Sequence, residues 1–265
     1  MPVEGFNRYL RLFKHINNPG EYIFRKSARK KRALQFNTKP NRILFEVPES
    51  LYQVFKEIFM VDVYEIDRLV AELPPSPTVI DIGANAGFFD IQLLSKISGA
   101  TIYAYEPLPS NAAYIKGLMN NNATIKKHLN FNQLAVTGLP KEGLDLYIAD
   151  NMENQVVASV FDNFDKRNTQ KINIPSITLT EIIESIGVTE IDLLKMDCEG
   201  SEYDIFYNTS ASLIKTIKQM VIEVHDLDQE KNNVHYFNQY LQGLGYETKY
   251  EPINGFCYAF EAIRK

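Results

Sequence analysis

Two cysteines, Cys198 and Cys257, are all that the 265 residues contain. No disulfide framework can be built from them, which points to a reducing, cytosolic setting. Neither belongs to a CxxC, and no Cys/His spacing signals zinc. No apolar run approaches the ~20 residues that cross a bilayer. The opening MPVEGFNRYL lacks the uninterrupted apolar core of a signal peptide. A soluble cytoplasmic protein is the expectation. What is present is ordinary globular composition, 45% hydrophobic and 23% charged, enough for one large α/β domain with an appendage.

Charge is unevenly spread. Residues 1–42 hold eleven Lys/Arg against two Asp/Glu, and the remainder seventeen against thirty-one. The densest basic stretch, RKSARKKR at 25–32, offers an attraction for an anionic membrane surface, glycan or nucleic acid. The plainer reading is a solvated helix face or arm. With no aromatic side chains interleaved to stack bases, nucleic acid is disfavoured further.

Residues 1–73 read as a mostly helical, basic segment, a candidate substrate cap. Within it, 49–73 carries an apolar face at helical spacing. PPSP at 74–77 breaks the pattern and marks the start of a second domain, 74–265. Strands and helices then alternate: TVIDIG, a helix over 86–97, TIYAYE, a helix over 109–121, and FNQLAV. A polar, irregular stretch over 137–174 follows, in which LDLYIAD and NQVVASVF are candidate added strands. TLTEIIESIG, capped by Thr178 or Thr180 and closed by Gly187, leads to IDLLKMD, QMVIEVH and a last long helix. YETKYE and FCYAFEAIRK flank the turn PING and pair as a hairpin. Such alternation builds a Rossmann-like α/β fold, with a mostly parallel sheet covered by helices on both faces.

In open parallel sheets ligands bind beyond the carboxyl ends of the strands. The bend DIGANAG, 81–87, sits at such an end and opens a helix. Glu106 closes the next strand, nineteen residues after Gly87, where an acid can grip both ribose hydroxyls. A dinucleotide fingerprint needs glycine at the middle position to admit a pyrophosphate, and here that position is Asn85. Asp81 beside a diphosphate is also repulsive. Both points favour S-adenosylmethionine, which has an amino acid tail and a sulfonium in place of phosphates.

VIDIGANAGFF, YAYEPLPSNAAYI, IPSITLTEII, IDLLKMDCEGSEYDIF and MVIEVH stand in the order and spacing of one family. Over residues 78–225 the chain resembles the FkbM family of S-adenosylmethionine-dependent methyltransferases. The resemblance implies a seven-stranded class I methyltransferase sheet ending in an antiparallel hairpin, and O-methyl transfer to sugars, polyketides or other metabolites. It also implies that Asp81, Gly83, Asn85 and Gly87 line the methionine end of the cofactor, that Glu106 holds the ribose, and that Ala135 and Val136 lie near adenine. Asp90 departs from the Ser or Thr common at that position and adds negative charge near the site.

Methyl transfer to an alcohol requires alignment and removal of a proton. Asp197, Glu199 and Glu202 end one strand; Glu223, His225 and Asp226 end the next. Alternation gives Asp197 and Glu199 one direction, and Glu223 and His225 another in common. Three readings stand: His225 or a neighbouring carboxylate as general base, Asp197 and Glu223 with His225 around a divalent metal, or proximity alone, with Glu199 and Glu202 as helix-start acids. No metal ligand is assigned. Cys198 reads as a small buried residue. Asn151, Asn154, Gln155 and Ser159, in the polar insert, suit either a sugar-like acceptor or a solvated loop.

The expected function is methylation of a hydroxyl on a small-molecule or glycan acceptor. A macromolecular methyltransferase is the alternative that the basic segment motivates, though no NPPY-type motif is present. A non-catalytic S-adenosylmethionine-binding protein and a nicotinamide-dependent oxidoreductase are the other classes considered.

Overall fold

The computed structural model describes residues 5–28, 33–149 and 168–265. Thirteen strands are described: β1 (Leu34–Asn37), β2 (Leu44–Val47), β3 (Thr78–Ile82), β4 (Thr101–Tyr105), β5 (Leu129–Asn132), β6 (Ala135–Thr137), β7 (Leu144–Ala149), β8 (Asn168–Ile174), β9 (Ser176–Thr178), β10 (Ile191–Met196), β11 (Ile217–His225), β12 (Tyr246–Pro252) and β13 (Cys257–Arg264). The helices are α1 (Asn7–His15), α2 (Gly20–Ala28), α3 (Tyr52–Lys56), α4 (Ile66–Glu72), α5 (Phe88–Lys96), α6 (Pro109–Asn121), α7 (Ala123–His128), α8 (Leu179–Ile186), α9 (Glu202–Asn208), α10 (Ala211–Ile214) and α11 (Val234–Gly243).

Seven strands form the central sheet in the order β12-β13-β11-β10-β3-β4-β5. The strands from β5 to β11 run parallel, and β13 is antiparallel to both neighbours, as the hairpin around PING requires. Successive side chains face opposite layers. Val79, Leu193 and Val221 pack with α5 and the N-terminal segment. Ile80, Leu194 and Ile222 pack with the helices on the other side, including α8, α9 and α11. Of the two expected caps Thr178 is the one used, in a capping box with Glu181, and α8 ends on the expected Gly187 in the left-handed region. Every residue of α5 from Phe88 to Ser95 is buried, because the helix is sandwiched between the sheet and the N-terminal segment.

That segment differs from the expected run of helices. β1 and β2 pair as an antiparallel hairpin, and its inward Phe36 and Phe45 enter an aromatic cluster. Phe36 stacks on Phe55 at 4.6 Å between ring centroids, Phe45 on Phe59 at 5.3 Å, and Phe88 meets Phe55 and Phe59 edge-on at 6.3 Å. Alternating burial in β1 and β2 was legible in LQFN and LFEV, but each run is only four residues long. The single helix expected over 49–73 is broken: α3 widens into a π turn at Glu57–Val61, and Asp62 and Glu65 take left-handed conformations before α4. The break turns Tyr64 toward the sheet. FNQLAV, expected as one strand, is split between β5 in the main sheet and β6, which pairs with β9. The expected strand NQVVASVF lies outside the described residues, as do residues 29–32 of the basic stretch. Among the described residues, no helix is long and apolar enough to cross a membrane.

Because Phe88 opens α5 directly after the glycine bend, the aromatic cluster couples the N-terminal segment to the site. Phe55→Ala should cost about 3–5 kcal/mol, read as a lower urea midpoint with both parts still unfolding in one transition. A separate early transition for the N-terminal segment would contradict this coupling.

Candidate active site

The carboxyl ends of β3 and β10 are held together by one buried ammonium. Lys195 is 3% exposed; its Nζ donates to the Gly83 carbonyl at 2.6 Å and lies 3.0 Å from Asp81 Oδ1. The Tyr64 ring covers it at 5.4 Å. Gly83 is required by this closeness, since a Cβ there would stand 1.7 Å from the Asp197 carbonyl oxygen. Its missing side chain makes room for the neighbouring strand, whereas the sequence reading had assigned that room to a ligand.

Asp81 is fully buried on Lys195 and is not among the residues lining the cleft at these strand ends. Asp90, expected to add negative charge, is equally buried. Burial first, and then the adjacent Asp81 carboxylate, push its pKa well above the carboxylate range. Burial and the neighbouring carboxylate thus both favour its uncharged form. Gly87, at φ 69°, starts α5 and packs near Ile115 and Leu118, away from the cleft wall.

A cleft whose empty space, open mouth included, is about 680 Å³ lies at the ends of β3, β4 and β10. Gly83, Asn85, Glu106, Ala135, Val136 and Asp197, all named from sequence, line it. Glu106 is anchored by three donors: Asn85 N at 2.9 Å on Oε2, and Leu108 N at 2.9 Å and Asn111 Nδ2 at 3.3 Å on Oε1. Burial outweighs those bonds and raises its pKa to about 7. Asn85 takes a left-handed backbone, φ 51°, and its buried Oδ1 has no protein partner. Leu144 and Leu146, from the β7–β8 hairpin, close the apolar side. β7 is the expected added strand LDLYIAD, whereas its partner β8 falls in the stretch expected to be irregular; Asn151, Asn154, Gln155 and Ser159 lie outside the described residues.

Beside the cleft stands a buried acidic cluster. Asp197 and Glu199 line the cleft, and Asp197 Oδ2 accepts from Tyr64 Oη at 3.1 Å. His225 is 3% exposed and does not reach the cleft wall. Its Nδ1 lies 3.1 Å from Glu202 Oε1 and its Nε2 3.5 Å from Glu199 Oε2. Burial alone would lower its pKa, but the hydrogen bond and charge of Glu202, with Glu199 and Asp197, raise it to about 9. His225 is thus an imidazolium at neutral pH. Burial, then Asp197, raise Glu199 to about 8 and Glu223 to about 7. Glu223 accepts from the Cys257 thiol at 3.0 Å. It also forms part of the floor of a second cavity, a groove of about 830 Å³ between Val63–Arg68 and strands β11, β12 and β13. Cys198 is half-buried on the cleft wall.

A family model described as the methyltransferase FkbM domain matches residues 81–248. The chain belongs to the FkbM methyltransferase family, and its central sheet is the class I methyltransferase sheet expected from sequence. It is 25% identical over 201 residues to the AMB antimetabolite synthetase AmbE of Pseudomonas aeruginosa, a match covering 65% of this chain but 9% of AmbE. It is 27% identical to the methyltransferase sdnD of Sordaria araneosa, covering 64% of this chain and 73% of that one. With the 31-O-demethyl-FK506 methyltransferase FkbM of Streptomyces tacrolimicus it shares 25% identity over 66% of this chain and 75% of that one.

Because the folded pKa of His225 lies above its ordinary 6.5, its ion pairs stabilise the fold fully below that pH and lose their effect as pH rises through about 9. An NMR titration, with His225→Gln to assign the resonance, should find its midpoint near 9. A midpoint near 6.5 would show that Glu202 and Glu199 do not hold the cation.

Proposed function

We propose that this chain is an S-adenosylmethionine-dependent O-methyltransferase acting on a hydroxyl of a sugar or other small metabolite. The observation that carries the reading is the junction of Glu106 and Asn85 at the head of the cleft. Glu106 offers carboxylate oxygens to two ribose hydroxyls. The partnerless Oδ1 of Asn85 suits the ammonium of an amino acid tail, because a buried acceptor without a donor costs about 1–3 kcal/mol. Ala135, Val136, Leu144 and Leu146 supply apolar walls for a purine. The acids around the cleft favour a cationic ligand and repel a diphosphate. When bound, S-adenosylmethionine supplies a methyl group activated by its sulfonium.

The chain's own residues then have separate tasks. Asp197, on the cleft wall, accepts the proton of the acceptor hydroxyl, and Tyr64 fixes the orientation of its carboxylate. His225, already protonated, acts as a positioning cation for Glu199 and Glu202. Glu223 faces the groove, from which an acceptor can approach. A small-molecule hydroxyl as acceptor is consistent with the name of the FK506 methyltransferase among the relatives.

Calorimetry should register S-adenosylmethionine and S-adenosylhomocysteine and no comparable response to NAD. Tight NAD binding alone would overturn the reading. Glu106→Gln should weaken cofactor binding by about 1–3 kcal/mol; unchanged affinity would remove Glu106 from the ribose site. For Asp197→Asn, turnover should fall ~10²–10⁴-fold with cofactor affinity kept, measured by methyl transfer from labelled cofactor. Near-native turnover would remove Asp197 as proton acceptor.

A further inference from the structure

β11 and β13 pair so that His225 stands opposite Cys257, with Glu223 opposite Ala259 two positions on. Glu223, His225 and Cys257 therefore point from one face of the sheet, and one ligand atom from each lies within 4.8 Å of the others. From this geometry we propose a binding site for a zinc-class divalent ion, formed by Glu223, His225 and Cys257.

The spacing supports it. Donors about 2.0–2.3 Å from a tetrahedral zinc stand roughly 3.3–3.8 Å apart. Here Cys257 Sγ is 3.0 Å from Glu223 Oε1, a hydrogen bond that opens slightly once the thiol proton leaves, and the His225 ligand atom lies within 4.8 Å of both. The donor types decide between ions: thiolate, imidazole and carboxylate together suit zinc, whereas magnesium and calcium prefer oxygen alone. The outer contacts follow the pattern of metal-bound histidine. His225 Nδ1 is held by Glu202, itself fully buried and bonded to Gly200 N at 3.2 Å, which aims Nε2 at the other donors. The Tyr203 hydroxyl, donating to the His225 carbonyl at 2.9 Å, fixes the strand end.

Asp197, Glu199, Glu202 and Glu223 gather around one imidazole, and the nearby Lys195 is committed to Asp81 and the Gly83 carbonyl. A divalent ion takes the place of the Nε2 proton of His225 and the thiol proton of Cys257; both protons leave to solvent, and no oxidation or reduction occurs. Glu199 opens on the cleft and Glu223 on the groove, so the ion has an access path and stands between the two cavities. If the methyltransferase reading holds, it also polarises the acceptor hydroxyl. The binding site itself does not depend on that reading.

The test is titration of the chelator-treated full chain with Co²⁺ alone, then Zn²⁺. One Co²⁺ per chain should bind, with a thiolate-to-metal charge-transfer band in the near ultraviolet that Zn²⁺ abolishes. Cys257→Ser should lose the band. Glu202→Gln, which keeps every ligand, should weaken metal binding ~10–100-fold. S-adenosylhomocysteine binding, measured without metal, should be unchanged in both variants and so reports an intact fold. No stoichiometric uptake by the wild-type chain, or a band that persists in Cys257→Ser, overturns the site. Failure of S-adenosylhomocysteine to bind the wild-type chain would instead count against the cofactor reading and leave the metal titration interpretable.

Discussion

The site depends on the buried ammonium of Lys195. It ties the end of β10 to the bend after β3 through Asp81 and the Gly83 carbonyl, at a point where the backbones approach so closely that only glycine fits. Removing one partner of such a buried ion pair typically costs 3–5 kcal/mol, because the other charge is left without compensation. Two outcomes follow from that fixed distance. The glycine bend emerges with Asn85 facing Glu106, and Asp197 emerges beside the cleft.

Electrostatics then separates the acids into roles. Asp90 is buried, and Asp81 serves the ammonium. Glu106 is held by backbone donors at the cleft head. Glu199, Glu202 and Glu223 surround an imidazolium. Two of the residues on the cleft wall, Asn85 and Glu199, have left-handed backbones, conformations that cost of order 1–3 kcal/mol and persist where the surroundings fix them. The other two such non-glycine residues among those described, Asp62 and Glu65, stand at the break before α4.

Much of this was legible in the chain. Periodicity and punctuation located the strands of the main sheet, and DIGANAG with Glu106 located the cleft, because strand, bend and acid all fall within residues 78–106. What escaped depended on distant contacts. Tyr64 meets Asp197 across 133 positions, and nothing in an apolar helical pattern marks one tyrosine among the rest. The surroundings of Asp90 were hidden because a formal charge in sequence carries no information about burial. Alternation placed Glu223 and His225 on one side, but it could not show that Glu202 and Glu199 would keep the imidazole protonated. Cys257 joined the cluster only through the register of β13 on β11. The hairpin of β1 and β2 was hidden by its length, since four-residue alternation also fits a helix.

The central claim is that the cleft at the ends of β3 and β4 receives an adenosyl group with an amino acid tail. A crystal structure of the chain grown with S-adenosylhomocysteine tests it most directly. The account requires ribose hydroxyls on Glu106, the purine against Val136 and Leu146, and the ammonium within hydrogen-bond reach of Asn85. The nucleoside bound elsewhere, or a cleft without density while the ligand saturates the protein in solution, would contradict it.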